Sequence, residues 1–328
     1  MKAIVQDRYG SSDVLAFQDV DPPVAGDREV LVRVHAAAVN AYDWHVMRGD
    51  PYIARLMAGS VFGRREPRVP IRGRDFAGRV EAVGAGVTRF RPGDEVFGAA
   101  PATFAEYVAV AADDIEPKPA NLTFDQAAAL PMAATTALMG LRDEGGVRPG
   151  HRVLVNGASG GVGTFAVQLA KALGASVTGV CSGRNVDLVR QLGADEVVDY
   201  QRADFTRAAH AHDVVLDLVG NRSLGDLRRA LTPTGVLVLA GGGVFTGGSL
   251  VGPVGLIIRA KLTGPLIRQR IRTVTAEIDR TRLATVRELA EASKVTPVID
   301  RTFALSEAAQ AIRYVETGHA RGKVVVTL

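Results

Sequence analysis

Residues 151–200 read HRVLVNGASGGVGTFAVQLAKALGASVTGVCSGRNVDLVRQLGADEVVDY and alternate short apolar runs with longer segments of helical period. Short apolar runs bounded by glycine are typical of buried strands. In chain order we predict a strand at 153–155, a glycine-rich turn at 156–163, a helix at 164–173, a strand at 177–180, a helix at 185–192 and a strand at 196–198. This βαβαβ order predicts an α/β fold with a doubly wound parallel sheet of the Rossmann type.

The glycine-rich turn has the spacing Ala158-x-Gly160-x-x-Gly163, with Ala in place of the usual first Gly. Glycines in such a turn bend the chain, admit a diphosphate and let the helix pack on the strand. The helix start then offers unpaired N–H groups and the positive end of its dipole. We expect the diphosphate to contact Ala158, Ser159, Gly160, Gly161 and Val162. The alternative is a glycine-rich turn that binds no ligand.

The end of the second strand indicates which dinucleotide binds. A carboxylate there favours NAD, whereas a cation favours the 2′-phosphate of NADP. The residues are Cys181-Ser182-Gly183-Arg184, and no carboxylate comes before Asp187. Ser182 and Arg184 therefore favour NADPH, with Tyr200 covering the adenine or reaching the phosphate. The alternative for Arg184 is a solvated arginine at a helix start.

The alternation continues beyond the third strand. A strand at 213–218 is followed by Val219, and a strand at 236–239 leads to Gly241 and Gly242. In such sheets ligands bind outside the carboxyl ends of the strands. We therefore expect these three residues to line the cofactor crevice.

Residues 1 to about 120 contain short apolar runs punctuated by proline and glycine. This pattern predicts a mostly β domain shaped as a partly closed barrel. Thr123-x-x-Gln126 is a capping-box sequence, and Pro131 starts a helix that we expect to run to about Arg142. The domain boundary is predicted near this point.

Composition narrows the class of protein. The chain has 328 residues, enough for two domains, and its net charge of +4 is too small to argue for nucleic acid. A single cysteine, Cys181, allows no internal disulfide and no cysteine-based zinc site. MKAIVQDRYG lacks a signal-peptide core, and no run approaches about 18 apolar residues. We expect a soluble cytoplasmic protein.

Six phrases, taken in order, resemble a known family: MKAIVQDRYG at the start, VNAYD at 39–43, GRDFAG at 73–78, FRPGDEV at 90–96, ASGGVG at 158–163 and GKVV at 322–325. The chain resembles the zinc-independent quinone oxidoreductase branch of the medium-chain dehydrogenase/reductase superfamily. The resemblance implies a GroES-like barrel domain formed by residues 1–122 and 295–328. It also implies an inserted Rossmann NADP-binding domain at 123–294, and homodimers.

Zinc-dependent members of that superfamily supply the sharpest comparison. Where they place a Cys and a His-Glu pair, this chain has Asn40 and Arg74-Asp75. A borderline metal such as zinc lacks its ligands there, and we predict no metal. Without a Lewis acid, the favoured acceptors are quinones or α,β-unsaturated carbonyls, which delocalise the charge of an incoming hydride.

The resemblance also implies the active-site residues. Asn40 matches an amide that relatives place near the nicotinamide and its ribose, and Tyr42, Asp43, His45 and Arg74 are candidates to donate a proton or hydrogen bond to the product oxyanion. Each candidate has a structural alternative. Tyr42 then fills the core, Asp43 caps a turn or pairs with Arg74, and His45 bonds backbone.

Further cofactor contacts follow from the same resemblance. Thr135 and Thr136 match a hydroxyl near the nicotinamide, with helix packing as the alternative. His319 and Ala320 match a loop against the cofactor, although a histidine there also suits a helix C-terminus. Cys181 is interpreted as a small buried hydrophobe.

Residues 251–272, VGPVGLIIRAKLTGPLIRQRIR, fit no cofactor role and are interpreted as an insertion between the fifth and sixth strands of the sheet. The mixture of apolar and basic residues suits a lid, a dimer contact, or a membrane-surface helix that draws quinone from a bilayer. The favoured reading is a helix packed on its own protein, because glycines and Pro265 interrupt any long amphipathic stripe.

Two classes of function follow from the sequence. The first is an NADPH-dependent reductase of quinones, with enone or enoyl-thioester reduction as the nearest variant. The second is a non-catalytic NADPH-binding sensor. Reduction of an unconjugated aldehyde or ketone is a third possibility.

Overall fold

The computed structural model describes residues 1–50, 52, 55, 62–63, 66–207, 211–241, 268–275 and 278–328. Its strands are β1 (Lys2–Gln6), β2 (Leu15–Asp19), β3 (Glu29–Val39), β4 (Asp75–Val83), β5 (Glu95–Ala99), β6 (Tyr107–Ala111), β7 (Ile115–Pro117), β8 (Arg152–Asn156), β9 (Ser176–Cys181), β10 (Glu196–Asp199), β11 (His212–Asp217), β12 (Leu231–Leu239), β13 (Arg270–Thr273), β14 (Ile299–Ala304) and β15 (Lys323–Thr327). Its α-helices are α1 (Ala41–Arg48), α2 (Phe124–Ala128), α3 (Pro131–Leu138), α4 (Gly161–Ala172), α5 (Val186–Gln191), α6 (Leu224–Ala230), α7 (Arg280–Glu291) and α8 (Ala308–Glu316).

The described residues between Thr136 and Glu277 form one compact unit built on a six-stranded sheet. The strand order is β10-β9-β8-β11-β12-β13, and every pair is parallel. The order reverses between β8 and β11, which identifies the sheet as doubly wound and confirms the predicted fold class. The strands read as near-continuous apolar runs, and Leu154, Val215 and Leu237 are almost fully buried in its core.

Strand β13 corrects the interpretation of residues 251–272 as an insertion. Arg270, Ile271 and Arg272 pair with β12 as the sixth strand of the parallel sheet. Arg270 and Arg272 are exposed while Ile271 is half-buried, which is the alternation of an edge strand. Residues 251–267, where a lid or surface helix was considered, lie outside the described residues.

Residues Met1–Thr135 and Ile278–Leu328 form the other unit. Its main sheet has the order β14-β15-β3-β4-β5-β7, with β6 also paired to β3, and only β14 and β15 run parallel. The C-terminal strand β15 pairs with β3, so the end of the chain completes the N-terminal domain. Among the described strands the pairing forms a branched open sheet and not a closed barrel.

Two helices, α2 and α7, belong to this unit, although the predicted boundaries at 122 and 295 assign them to the Rossmann domain. Helix α2 packs on β3 and β4, and α7 packs on β7. Glu116 of β7 is almost fully buried and forms an ion pair with Arg287 of α7, with 3.2 Å between Oε2 and the guanidinium nitrogen. Contacts therefore place 123–135 and 278–294 with the GroES-like strands.

The capping box at Thr123 is confirmed. The Thr123 hydroxyl accepts from the Gln126 N–H at 3.3 Å, and Gln126 Oε1 accepts from the Thr123 N–H at 3.0 Å. The helix predicted from Pro131 to Arg142 is α-helical to Leu138 and then widens to π-helical geometry over Met139–Glu144. No helix in the described part of the chain is long and apolar enough to cross a lipid bilayer.

A glycine contact gives a stability prediction. A Cβ on Gly163, in the first turn of α4, would overlap the Gly157 carbonyl oxygen, whereas a Cβ on Gly225 in α6 would have only Ser223 Oγ nearby, at 3.8 Å. Gly163→Ala should destabilise by about 1–3 kcal/mol because the turn must move. Gly225→Ala, the matched helical control, should stabilise by up to about 1 kcal/mol. Urea unfolding measures both, and equal effects would contradict the overlap.

Candidate cofactor-binding and active site

The glycine-rich turn begins where β8 ends, at Asn156. Gly157 has φ +89°, a left-handed conformation that favours glycine, whereas Ala158 keeps an ordinary negative φ. The residue that bends the chain is therefore Gly157 and not the predicted first position, Ala158. The operative pattern is Gly157-x-x-Gly160-x-x-Gly163, which explains why Ala158 is tolerated.

The start of helix α4 is suited to an anion. Gly160 is its N-cap and no side chain caps it, so backbone donors of the first turn are left for a ligand. Three N–H groups of the turn are already used. Those of Gly157 and Ala158 donate to Val180 O, at 3.1 and 2.9 Å, and that of Gly160 donates to Gly157 O at 3.0 Å. Gly160, Gly161 and Val162 are partly exposed. The residues present therefore fit a dinucleotide diphosphate.

A buried amide–carboxylate pair joins the two strands at which the sheet order reverses. Asn156 Nδ2, at the end of β8, donates to Asp217 Oδ1 at the end of β11, at 2.8 Å. The same oxygen accepts from the N–H groups of Val219 and Gly220, at 3.2 and 3.1 Å. Sequence reasoning missed this pair, although a polar residue ends each of the two apolar runs. It fixes the loop that carries Val219, a predicted cofactor residue.

Close packing also shapes the loop after β12. A Cβ on Gly241 would overlap the backbone of Leu218, so only glycine fits there. The predicted cofactor residues Val219 and Gly241 thus follow adjacent strands, β11 and β12. Gly242, also predicted to bind cofactor, lies outside the described residues.

Asn185 links the glycine-rich turn to the loop after β9. Its amide nitrogen donates to Ser159 Oγ at 2.9 Å and to Ser182 Oγ at 3.2 Å, and the residue is buried. Sequence reasoning missed Asn185. Arg184 lies beside it in a short 3₁₀ turn, Gly183–Asn185, and is exposed. The two predicted phosphate ligands, Ser182 and Arg184, are therefore held on one ordered loop.

A carboxylate reaches that loop from the next strand. A Cβ on Gly183 would lie 2.7 Å from Asp199 Oδ2, although no acid was expected near this position from the local sequence. Asp199 accepts from the Gln201 N–H at 3.0 Å and pairs with Arg202 at 3.5 Å, which partly neutralises it. Tyr200 follows with 42% of its surface exposed, open to a ligand.

In the other unit, Asn40 is the centre of a buried polar cluster. Its N–H donates to Asp43 Oδ2 at 2.7 Å. Its amide nitrogen donates to Asp75 Oδ2 at 3.0 Å and to Ala38 O at 3.3 Å, and its Oδ1 accepts from Lys323 Nζ. Sequence reasoning did not identify Lys323 as a site residue, since only pairing of β15 with β3 brings it beside Asn40.

Lys323 is a buried cation beside the residues that match the zinc ligands of the superfamily. Its ammonium donates to Val39 O at 3.2 Å and lies 3.9 Å from Asp75 Oδ2, with both side chains almost fully buried. Burial lowers the pKa of Lys323 and raises that of Asp75, while their mutual attraction opposes both shifts. A zinc ion bound by Asp75 would be repelled by this ammonium. No group of three or more His, Cys, Asp or Glu within the described residues is placed to hold a metal.

Asp43 caps helix α1, as its structural alternative proposed. It lies at the third helical position and accepts from the N–H of Asn40, the N-cap. The side chain is 2% exposed, and burial raises the pKa of its carboxyl to about 7. The group therefore exchanges its proton near neutral pH.

Tyr42 and Arg74 form a half-buried pair. The guanidinium carbon of Arg74 lies 5.4 Å from the centre of the Tyr42 ring. Burial raises the pKa of the Tyr42 phenol, and Arg74 opposes the shift. His45 instead forms a hydrogen bond with backbone five residues later, where its Nδ1 lies 3.2 Å from Asp50 O. Burial lowers the pKa of the His45 imidazole. Tyr42 is thus a neutral phenol at pH 7 and His45 a neutral imidazole.

The remaining predicted residues differ in accessibility. Thr135 is 1% exposed, and its hydroxyl donates to Pro131 O within helix α3. His319 is exposed after α8 in the turn that Gly318 makes with φ +73°, and Ala320 is half-buried. Burial raises the pKa of the Cys181 thiol to about 11, which agrees with its interpretation as an inert hydrophobe.

Two family models match the chain. Residues 26–120 match the alcohol dehydrogenase GroES-like domain, and residues 192–326 match the family described as zinc-binding dehydrogenase. Both descriptions are those of the wider superfamily. The first match lies within the β-rich unit, and the second covers parts of both units.

Similar proteins cover the whole chain. It is 36% identical to NAD(P)H oxidoreductase RTN4IP1, mitochondrial, of Mus musculus, with 100% of this chain and 89% of the relative covered. It is 34% identical to NADPH-dependent alkenal/one oxidoreductase, chloroplastic, of Arabidopsis thaliana, with coverages of 99% and 79%. The solved quinone oxidoreductase from Coxiella burnetii has a TM-score of 0.86 and 33% identity, with coverages of 100% and 99%.

The raised pKa of Asp43 gives a pH prediction. Between pH 4 and 7 the folded state holds a proton that the unfolded state releases, so the stability from this proton falls as pH rises. Asp43→Asn has no such proton and should gain stability relative to the wild type across that window, by at most about 1.4 kcal/mol per pH unit. Urea midpoints measured from pH 5 to 8 test this.

Asp19→Asn is the control for that series. The hydrogen bond from Lys2 lowers the pKa of Asp19, so this carboxyl stays ionised from pH 5 to 8 and its variant should differ from wild type by a constant amount. A pH-independent difference for Asp43→Asn as well would show that Asp43 does not titrate near neutrality.

Proposed function

Because the chain belongs to the zinc-independent quinone oxidoreductase branch of the medium-chain dehydrogenase/reductase superfamily, we propose that it reduces a quinone-type acceptor with hydride from NADPH. The observation that carries the proposal is the turn at 157–163, which leaves backbone donors of α4 uncapped at the reversal of the strand order. Bound NADPH supplies the hydride. The protein binds and orients the coenzyme and the acceptor, and it excludes water from them.

The preference for NADPH rests on the loop after β9. Ser182 and Arg184 offer a hydroxyl and a guanidinium to a 2′-phosphate. Asp199 lies close to Gly183 and has the wrong sign of charge for a phosphate, and its pairing with Arg202 limits the repulsion. The ribose diol of NADH would find no carboxylate on β9 itself, where NAD sites place one.

On the acceptor side we assign the hydrogen-bonding role to Tyr42, supported by Arg74. Hydride addition to a quinone leaves an oxyanion that must gain one proton to become the hydroquinone. The Tyr42 phenol stays protonated at neutral pH and donates that proton, which solvent then replaces. The Arg74 guanidinium stabilises the transient phenolate and the oxyanion. Asp43 and His45, both engaged with backbone, hold helix α1 in place.

An α,β-unsaturated carbonyl is the second candidate acceptor. The Arabidopsis relative is named an alkenal/one oxidoreductase, and an enolate oxygen needs the same donor as a hydroquinone oxygen. Both acceptors delocalise the added charge and require no metal ion. An unconjugated ketone lacks that delocalisation and should react poorly.

Stopped-flow absorbance tests the proposed function. Wild-type protein saturated with NADPH should lose its 340 nm absorbance rapidly with benzoquinones or naphthoquinones, and slowly with unconjugated ketones. Faster oxidation by enones than by any quinone would move the assignment to the second candidate. No oxidation by either class, with NADPH bound, would identify a coenzyme-binding sensor and not a reductase.

Coenzyme preference is tested by Arg184→Ala. The loss of a charge-assisted contact to the 2′-phosphate should weaken NADPH binding about 10- to 100-fold and leave NADH binding unchanged. Arg190→Ala is the matched control, because Arg190 is an exposed arginine on the neighbouring helix α5 that pairs with Asp187. Calorimetric titration measures each dissociation constant. An unchanged preference for NADPH in Arg184→Ala would remove Arg184 from the site.

A further inference from the structure

We propose that Lys323 and Asp75 are positioning residues that lock the Asn40 amide in one orientation, so that Asn40 offers the coenzyme's nicotinamide half an acceptor and no donor. The inference rests on the proposed function, because it requires a bound nicotinamide coenzyme. It assigns roles to two residues that neither bind phosphate nor contact the predicted proton donor.

The cluster is built by strand pairing. Ala38 of β3 pairs with Asp75 of β4, and Val39 pairs with Val324 of β15. These registers set Asp75 and Lys323 beside Asn40, which follows β3 directly. Asp75 Oδ2 also accepts from the Met132 N–H of helix α3 at 3.2 Å, which fixes the carboxylate in turn.

The charges on either side of the amide decide its orientation. An ammonium group can only donate hydrogen bonds and a carboxylate can only accept them. The Asn40 oxygen therefore faces Lys323, and its nitrogen faces Asp75. A flipped amide would set N–H groups against the ammonium and an oxygen against the carboxylate, two repulsive contacts in a buried site.

The hydrogen-bond capacity of Asn40 determines what it can offer. Both amide hydrogens are used, one by Asp75 and one by Ala38 O, and one oxygen lone pair is used by Lys323. The remaining capacity is one lone pair on Oδ1. Asn40 can therefore accept from a hydroxyl or amide N–H of the coenzyme, and it cannot stabilise the product oxyanion.

Burial of Lys323 supports a positioning role over a purely electrostatic one. The ammonium is 2% exposed and donates to Asn40 Oδ1 and Val39 O, so it presents no free surface to a ligand. A buried cation of this kind acts on a ligand through the group that it orients. Its effect should therefore be confined to the part of the coenzyme that Asn40 contacts.

Binding of two probes separates this role from general stability. NADP⁺ carries the nicotinamide half, and adenosine 2′,5′-bisphosphate lacks it. Lys323→Met removes the donor to Asn40, and the double variant Lys323→Met with Asp75→Asn removes both charges, so that the amide can take either orientation. Both variants should weaken NADP⁺ binding about tenfold by calorimetry, with bisphosphate binding unchanged within about twofold, as expected for one lost hydrogen bond.

Lys118→Met is the matched control. Lys118 is also a lysine with a 7% exposed side chain in the same unit, and it donates to Leu122 O without contacting Asn40. This variant should lose thermal stability and keep both affinities. Lys323→Arg, which retains a donor, should recover most of the NADP⁺ affinity.

Three outcomes would overturn the inference. The first is unchanged NADP⁺ affinity in the double variant, which buries no unpaired charge and decides the matter if Lys323→Met alone fails to fold. The second is an equal loss for both probes in the folded variants, and the third is a selective loss in Lys118→Met. Failure of the proposed function would look different, because the wild-type protein itself would then bind no NADP⁺, or would bind NADPH without oxidising it.

Discussion

The contact between Gly163 and the carbonyl of Gly157 constrains the coenzyme-binding unit. Because no side chain fits between them, the first turn of α4 lies directly on the bend that ends β8. The uncapped N–H donors of α4 therefore lie near the end of β8, where the strand order reverses between β8 and β11. The buried Asn156–Asp217 pair ties those two strand ends together, and the donors that the cradle offers are backbone N–H groups.

The GroES-like unit buries three titratable side chains around one amide. Asp43, Asp75 and Lys323 are almost fully removed from water, a costly arrangement that persists only when each group has partners. Asn40 supplies or receives a hydrogen bond from all three. The charges on either side of the Asn40 amide favour a single orientation of that amide.

Local pattern predicted the features that arise from neighbouring residues, including the alternating strands of the parallel sheet, the capping box at Thr123 and the turn before α4. It misassigned the bending residue, because Gly157 lies outside the expected spacing and only its φ identifies it. Asp199 and Lys323 were missed because strand pairing brings them to their sites from distant sequence positions. Strand β13 was missed because its short alternation is embedded in the basic, glycine-interrupted segment 251–272.

Amide hydrogen exchange with and without NADP⁺ tests the diphosphate cradle most directly, because it reports on the backbone donors themselves. Saturating NADP⁺ should slow exchange in a peptide spanning residues 157–165, since the N–H groups at the start of α4 become hydrogen-bonded. Helix α6, which carries no predicted coenzyme contact, should exchange at the same rate in both conditions. Saturation by NADP⁺ without any slowing at residues 157–165 would show that the diphosphate binds elsewhere.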